Sequence, residues 1–360
     1  MTPQPPEIPE PTLFPLGETS PADASSAARI APAPAPPAVG DLARSLPATL
    51  RMGTSSWSFP GWTNVYRPPT TGTHKPADLA RTGLPAYTAH PLLRTVALDR
   101  AFYAPVPERE QAELAAQTPA DFRFVVKAYQ ALTRPTADDA GRTHGNTADH
   151  TTTNPLFLDP AAAEDLVIAP TVRALGSRLG IILFQFPPLD LSTRDNTRSP
   201  VASPEVLIES LAEFLAALPV GPAYAIELRN RTLLERPALT HALAQTLRTH
   251  NTALSLAHHP TLPTIDEQAQ ALAQAGYPIT DAPHTLIRWM LKHDQTYAGA
   301  KARYQPFTDI RDPDVPTRTT IADTALNAIT KPTYIIVNNK AEGSAPHTIA
   351  RLANHIARLI

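Results

Sequence analysis

An acidic and a basic side chain stand two residues apart at the end of an apolar run, Ala223-Tyr224-Ala225-Ile226-Glu227-Leu228-Arg229-Asn230. Such a pair can move protons or grip an anion, because a carboxylate exchanges protons and a guanidinium fork matches carboxylate and phosphate oxygens. The run reads as a buried strand, closed off by Pro222 and a polar turn. Alternation along a strand puts Glu227 and Arg229 on the side of small Ala225, opposite Tyr224, Ile226 and Leu228. Charge on the inward side of a strand end is costly unless the charges satisfy each other or serve a ligand. Two readings stay open. In one, Glu227 and Arg229 form an ion pair within the layers of a barrel. In the other, Glu227 is the general acid or base, Lys127 tunes or partners it, and Arg229 and Arg288 hold an anionic group.

Positioning these groups takes a scaffold of strands. Apolar runs over Arg51–Ser55, Leu93–Leu98, Phe122–Val126, Gly180–Phe186, Ala223–Leu228, Thr252–Ala257, Thr285–Leu291 and Thr333–Val337 read as eight strands. Helical spacing fits between them over Pro76–Tyr87, Glu108–Gln117, Ala161–Leu175, Pro204–Leu218, Pro237–His250, Thr320–Ile329 and Ala345–Leu359. Evenly spaced βα units of this number predict an α/β fold, a (β/α)8 TIM barrel, in preference to a doubly wound open sheet.

In that fold whatever follows each strand faces one mouth. Ser55-Ser56-Trp57 follows the first strand, Asp99-Arg100 the second, and Lys127 the third. The fourth carries Gln185, the sixth runs into His258-His259, the seventh carries Arg288 and leads to Lys292, and the eighth ends in Asn338-Asn339-Lys340. Glu227 and Lys127 are therefore the candidate catalytic pair. Trp57, Asp99, Arg100, Gln185, Arg229, Arg288, Lys292, Asn338, Asn339, Lys340 and Ser344 are the candidate ligand-binding set, with Trp57 as a wall and Trp62 as packing. The surplus of cations predicts a small anionic partner, a carboxylate or phosphate. The stretch Asn338 to Ser344 opens a helix at Ala345-Pro346, so its N–H groups and Ser344 form either a phosphate cradle or an ordinary N-cap.

No cofactor is predicted. A divalent metal on Glu227 and His258, with Asp99 or His259, is the alternative, although neighbouring histidines point to opposite sides and the cations oppose a metal. His144, Asp149 and His150 resemble a zinc cluster in spacing only.

The chain has 360 residues, a net charge of −2 and no cysteine. It is long enough for one barrel, lacks the basic excess of a nucleic-acid binder, and offers neither a thiolate metal site nor a cysteine nucleophile. The start, MTPQPPEIPEPT, has no basic or apolar leader pattern, and no run is long enough to span a bilayer. The expectation is a cytoplasmic protein with no membrane or nucleic-acid partner; no signal sets its oligomeric state. Residues 1–48 are rich in Pro and Ala and are expected to be a disordered arm, with Leu13-Phe14-Pro15-Leu16 a conceivable docking segment. Residues 49–360 form the barrel domain, with insertions at about 134–160, 189–203 and 259–283, the last holding a short helix at Asp266–Ala275.

Several stretches together resemble the YecE-like family, domain of unknown function 72. They are Arg51-Met52-Gly53-Thr54-Ser55-Ser56-Trp57-Ser58-Phe59-Pro60-Gly61-Trp62, Phe102-Tyr103, Phe124-Val125-Val126-Lys127-Ala128, Gln185-Phe186-Pro187-Pro188, Glu227-Leu228-Arg229, and Asn338-Asn339 with Gly343 and Ala345. The resemblance runs in order over Arg51 to Ile360 and implies a TIM barrel, but no assigned activity. Two departures mark a divergent member. Val96-Ala97-Leu98-Asp99 stands where the family carries Val-Glu-Ile-Asn, and Arg288-Trp289-Met290-Leu291 where many members carry Arg-Leu-His-Gly. The expected function is an enzyme acting on a small anionic substrate by general acid/base chemistry. The alternatives are a metal-dependent isomerase- or hydrolase-like barrel and a binding module without catalysis.

Overall fold

The computed structural model describes residues 30–136, 153–191, 201 and 203–360. Eight strands form a closed parallel barrel in chain order: β1 Leu50–Thr54, β2 Thr95–Leu98, β3 Arg123–Lys127, β4 Leu179–Gln185, β5 Tyr224–Glu227, β6 Ala253–His258, β7 Thr285–Trp289 and β8 Thr333–Val337. β8 closes on β1 in the register Leu50↔Thr333 to Thr54↔Val337. All eight lie within the runs read from the sequence or within one residue of them.

The period-two alternation of the strands sorts their side chains into two cores. One side fills the barrel with Ala97, Val125, Ile181, Leu183, Ala225, Leu286, Tyr334 and Ile336. The other, including Val96, Phe124, Ile182, Phe184 and Ile226, packs against the helices. Glu227 and Arg288 continue the inner rows of Ala225 and Leu286, so the barrel's own pleat aims them at the C-terminal mouth.

Proline opens many of the crossover helices, supplying a preset φ where an N–H has no partner anyway. Pro204–Ala217 is capped by the Ser203 hydroxyl, and Ile265–Gln274 by a reciprocal Thr264 and Glu267 box. Glu108–Ala116, Pro237–Thr249 and Ala345–Ala357 match expectation closely. Other helices differ for local reasons. Pro76–Tyr87 splits into Pro76–Thr82 and Leu84–Thr88 at Gly83-Leu84-Pro85. The expected Ala161–Leu175 helix carries a π-turn over Glu164–Ile168 just before Pro170, which has no N–H to return. Val315–Asn327 starts earlier than read because Asp314 accepts from Thr317 N–H at its amino end. A helix over Tyr297–Tyr304 was not foreseen.

The boundary of the arm needs correction. Residues 30–48 are structured: Ile30 is buried, Ala33 N–H donates to Val65 O at 2.9 Å, and Pro37–Ser45 is helical. Val39, Leu42, Ala43 and Leu46 recur at helical spacing inside the Pro/Ala-rich text and rest on the core. The remainder of the arm with Leu13 to Leu16, the His144, Asp149 and His150 group, and most of the 189–203 insertion lie outside the described residues.

Candidate functional site

Glu227, the last residue of β5, is fully buried and is the hub of the mouth. Its Oε1 lies 2.5 Å from Arg229 Nη2. Its Oε2 accepts from Arg288 Nη1 at 2.7 Å and from the Ser255 hydroxyl at 3.2 Å. Arg288 reaches across the barrel, also donating to Gln185 Oε1 at 2.9 Å, and its Nη2 is 3.9 Å from Asp99 Oδ1. Lys127 is within electrostatic reach of Glu227, and its Nζ sits 3.7 Å from the centre of the Phe102 ring.

These contacts set the proton balance. Burial pushes the Glu227 carboxyl up, but the charges of Arg229 and Arg288, the hydrogen bond from Arg288 and the Lys127 charge outweigh it and hold its pKa at about 2. At neutral pH it is a carboxylate with both oxygens engaged. In this state it is the counter-ion of Arg229 and Arg288. Lys127, Arg229 and Arg288 together carry more charge than Glu227 and the partly exposed Asp99 offset.

Asp99, Lys127, Gln185, Glu227, Arg229 and Arg288 therefore meet as read. A second group, beside the ends of β8 and β1, consists of Asn338, which donates to Ser55 Oγ at 3.3 Å, and Lys340, whose Nζ is 3.3 Å from Asn338 Oδ1 and 3.8 Å from the centre of the Tyr297 ring.

Five expected ligand contacts lie elsewhere. Arg100 is in the turn beyond β2 and pairs with Glu110 at 2.5 Å. Lys292 pairs with Asp312 at 3.0 Å, in a cluster that includes Tyr304 and Gln295. Asn339 faces the opposite way from Asn338, accepting from Trp62 Nε1 at 3.1 Å and Ala345 N–H at 2.9 Å. Ser344 is fully buried, its hydroxyl 3.2 Å from His347 Nδ1. The phosphate cradle is thereby corrected too. The 309–314 segment covers the loop: Glu342 O accepts from Arg311 and Asp312 N–H, while the buried Glu342 carboxylate takes Asp314 N–H and Arg318. The loop's own N–H groups are spent within it, Lys340 N–H on Asn338 Oδ1, Gly343 N–H on Asn339 O and Ala345 N–H on Asn339 Oδ1, and Gly343, at φ 117°, fits because a Cβ would stand 2.7 Å from Asp309 O.

Trp57 is the fifth. Its indole is buried in the layer between barrel and helices, donating to Leu79 O at 3.0 Å, so it packs and does not line the mouth. Trp57→Phe removes that donor and is expected to cost about 1 kcal/mol in urea denaturation, leaving any ligand affinity unchanged.

Of the two histidines in the metal alternative, His258 lies away from the cluster. His258, on the outer side of β6, stacks at 4.4 Å on His293 and lies 3.8 Å from Asp314. His259 instead senses the charges of Arg229, Glu227 and Arg288. Among the described residues, no three His, Cys, Asp or Glu side chains are grouped to hold a metal ion. Ser255 is the group that the sequence reading did not select, though it shares the inward parity of Ala257.

Comparison with known proteins places this geometry in context. A family described as "Protein of unknown function DUF72" matches residues 51–359. UPF0759 protein YunF of Bacillus subtilis (strain 168) is 30% identical over 115 residues, which is 32% of this chain and 35% of that protein, so the match spans about a third of each. A DUF72 family protein from Thermotoga maritima MSB8 superposes with a TM-score of 0.55 at 19% identity, covering 85% of this chain and 98% of that one. One from Enterococcus faecalis V583 gives 0.51 at 16% identity, covering 86% and 96%. These structures share the barrel. No helix among the described residues is long and apolar enough to cross a membrane.

Proposed function

The chain belongs to the DUF72 family, and we propose that its barrel mouth binds a small anionic molecule, a carboxylate or a phosphate, and acts on it as an enzyme. One observation carries the reading: Arg229 and Arg288 are locked on opposite oxygens of the buried Glu227 carboxylate, with Lys127 beside them. Guanidinium groups fixed in advance lose little freedom when they grip an anion, and low local polarity strengthens the grip. Asp99, Gln185 and His259 around the cluster are only partly buried and mark the side from which a ligand reaches it. In this reading Glu227 orients the arginines, and the proton-moving role passes to Lys127, whose ammonium is buried against Phe102.

A second reading, binding without turnover, is favoured by the state of Glu227, a carboxylate with both oxygens occupied and no proton to donate. One experiment tests both. Phosphate and a panel of small carboxylates are titrated by calorimetry and each bound compound is then followed for conversion by proton NMR. Arg288→Met should weaken binding by about 10- to 100-fold, the worth of a hydrogen bond to a charged group. Unchanged affinity in a folded Arg288→Met protein sinks the anion site, while tight binding with no product selects the second reading.

A further inference from the structure

His259 follows β6 on the same side as Ser255, whose hydroxyl meets the Glu227 carboxylate. Its ring is held at Nδ1. Nδ1 lies 2.9 Å from the Thr261 hydroxyl and receives the Thr261 backbone N–H at 3.3 Å. A backbone N–H can only donate, so Nδ1 is the nitrogen without a proton. A neutral ring must then carry its hydrogen on Nε2. Neutrality is favoured as well: burial lowers the ring's pKa, the nearby Arg229 and Arg288 lower it further, and Glu227 only partly opposes them.

A neutral N–H donor beside a guanidinium pair selects a particular kind of oxygen. The arginines take the charged group, and an imidazole that does not titrate offers its hydrogen to an uncharged hydroxyl or carbonyl oxygen next to it. We infer that His259 is fixed as the Nε2–H tautomer and donates a hydrogen bond to such an oxygen, so that the ligand is a hydroxy- or oxo-acid, or the corresponding phosphate, and not a bare anion. The ligand half of this inference rests on the anion-binding reading; the tautomer does not.

The two halves are separable. The full chain is labelled with ¹⁵N-histidine, and long-range proton–nitrogen spectra are recorded without ligand at about pH 7. The His259 signals are those lost in His259→Gln. The expected pattern is a bare Nδ1 and a protonated Nε2. A proton on Nδ1, or a doubly protonated ring, overturns the inference. Calorimetry then compares glycolate with acetate, which differ by one hydroxyl. His259→Phe should weaken glycolate about tenfold and leave acetate unchanged. Equal weakening of both overturns the donor role. If neither probe binds the wild-type chain, the anion-binding reading is what has failed, and the tautomer spectrum stands as its own result.

Discussion

Gly53→Ala is expected to destabilise the protein by at least about 4 kcal/mol, the range reserved for substitutions that displace backbone. A Cβ built at Gly53 would stand 1.8 Å from the carbonyl oxygen of Thr95, its register partner on β2. No rotamer relieves that contact, because the backbone fixes where the Cβ stands and the atom it meets is a backbone oxygen. The seam concerned is short, pairing Gly53 with Thr95 and Thr54 with Val96, and the buried Tyr87 hydroxyl stitches it by donating to Thr95 O at 2.9 Å while accepting from Thr54 N–H at 3.1 Å. Moving Thr95 away to admit a methyl group breaks this bridge and parts β1 from β2. Urea denaturation of the variant measures the loss. A cost below about 1 kcal/mol would mean that the seam gives way far more easily than a closed barrel should.

The same seam shows what kind of information the sequence carries. Eight strands were legible because each is a short run of apolar residues flanked by turn and helix signals, and burial on both faces leaves little else in such a run. Strand parity then placed Lys127, Gln185, Glu227 and Arg288 on one side of the sheet, and the closed barrel turned one side into one spot. Past a strand's end, parity no longer decides which partner a long side chain finds. Arg100 lies in the turn Asp99–Phe102, where its side chain finds Glu110 on the next helix, and Lys292 is claimed by Asp312 from a later loop. Asn339 and His258 fail for the opposite reason, since alternation, applied consistently, sends each away from its inward neighbour. Trp57 is a matter of rotamer: its position after β1 is right, but the ring swings to Leu79. The Pro37–Ser45 helix was hidden because proline and alanine dominate the composition while only four apolar side chains carry the periodicity.

Glu227→Gln separates a site built for a ligand from a barrel held together by its own ions. Glutamine keeps the shape of glutamate and loses its charge, leaving Arg229, Arg288 and Lys127 buried around a neutral amide. Removing one member of a buried ion cluster generally costs about 3–5 kcal/mol, and that loss is expected in urea at neutral pH. The dependence on acid has a definite sign. Glu227 has a folded pKa of about 2, below the ordinary 4.5, so its stabilising effect is complete above 4.5 and fades as pH falls toward 2. The stability gap between wild type and Glu227→Gln should therefore narrow across that interval and be widest at neutral pH. The functional consequence concerns added anions. With the internal carboxylate gone, the positive excess of the cluster grows by one charge, and phosphate at fixed ionic strength should raise the melting temperature of Glu227→Gln more than that of wild type, with chloride giving no such difference. If phosphate stabilises both chains equally, the cluster has no room for an anion, and the charges at the mouth serve the barrel alone.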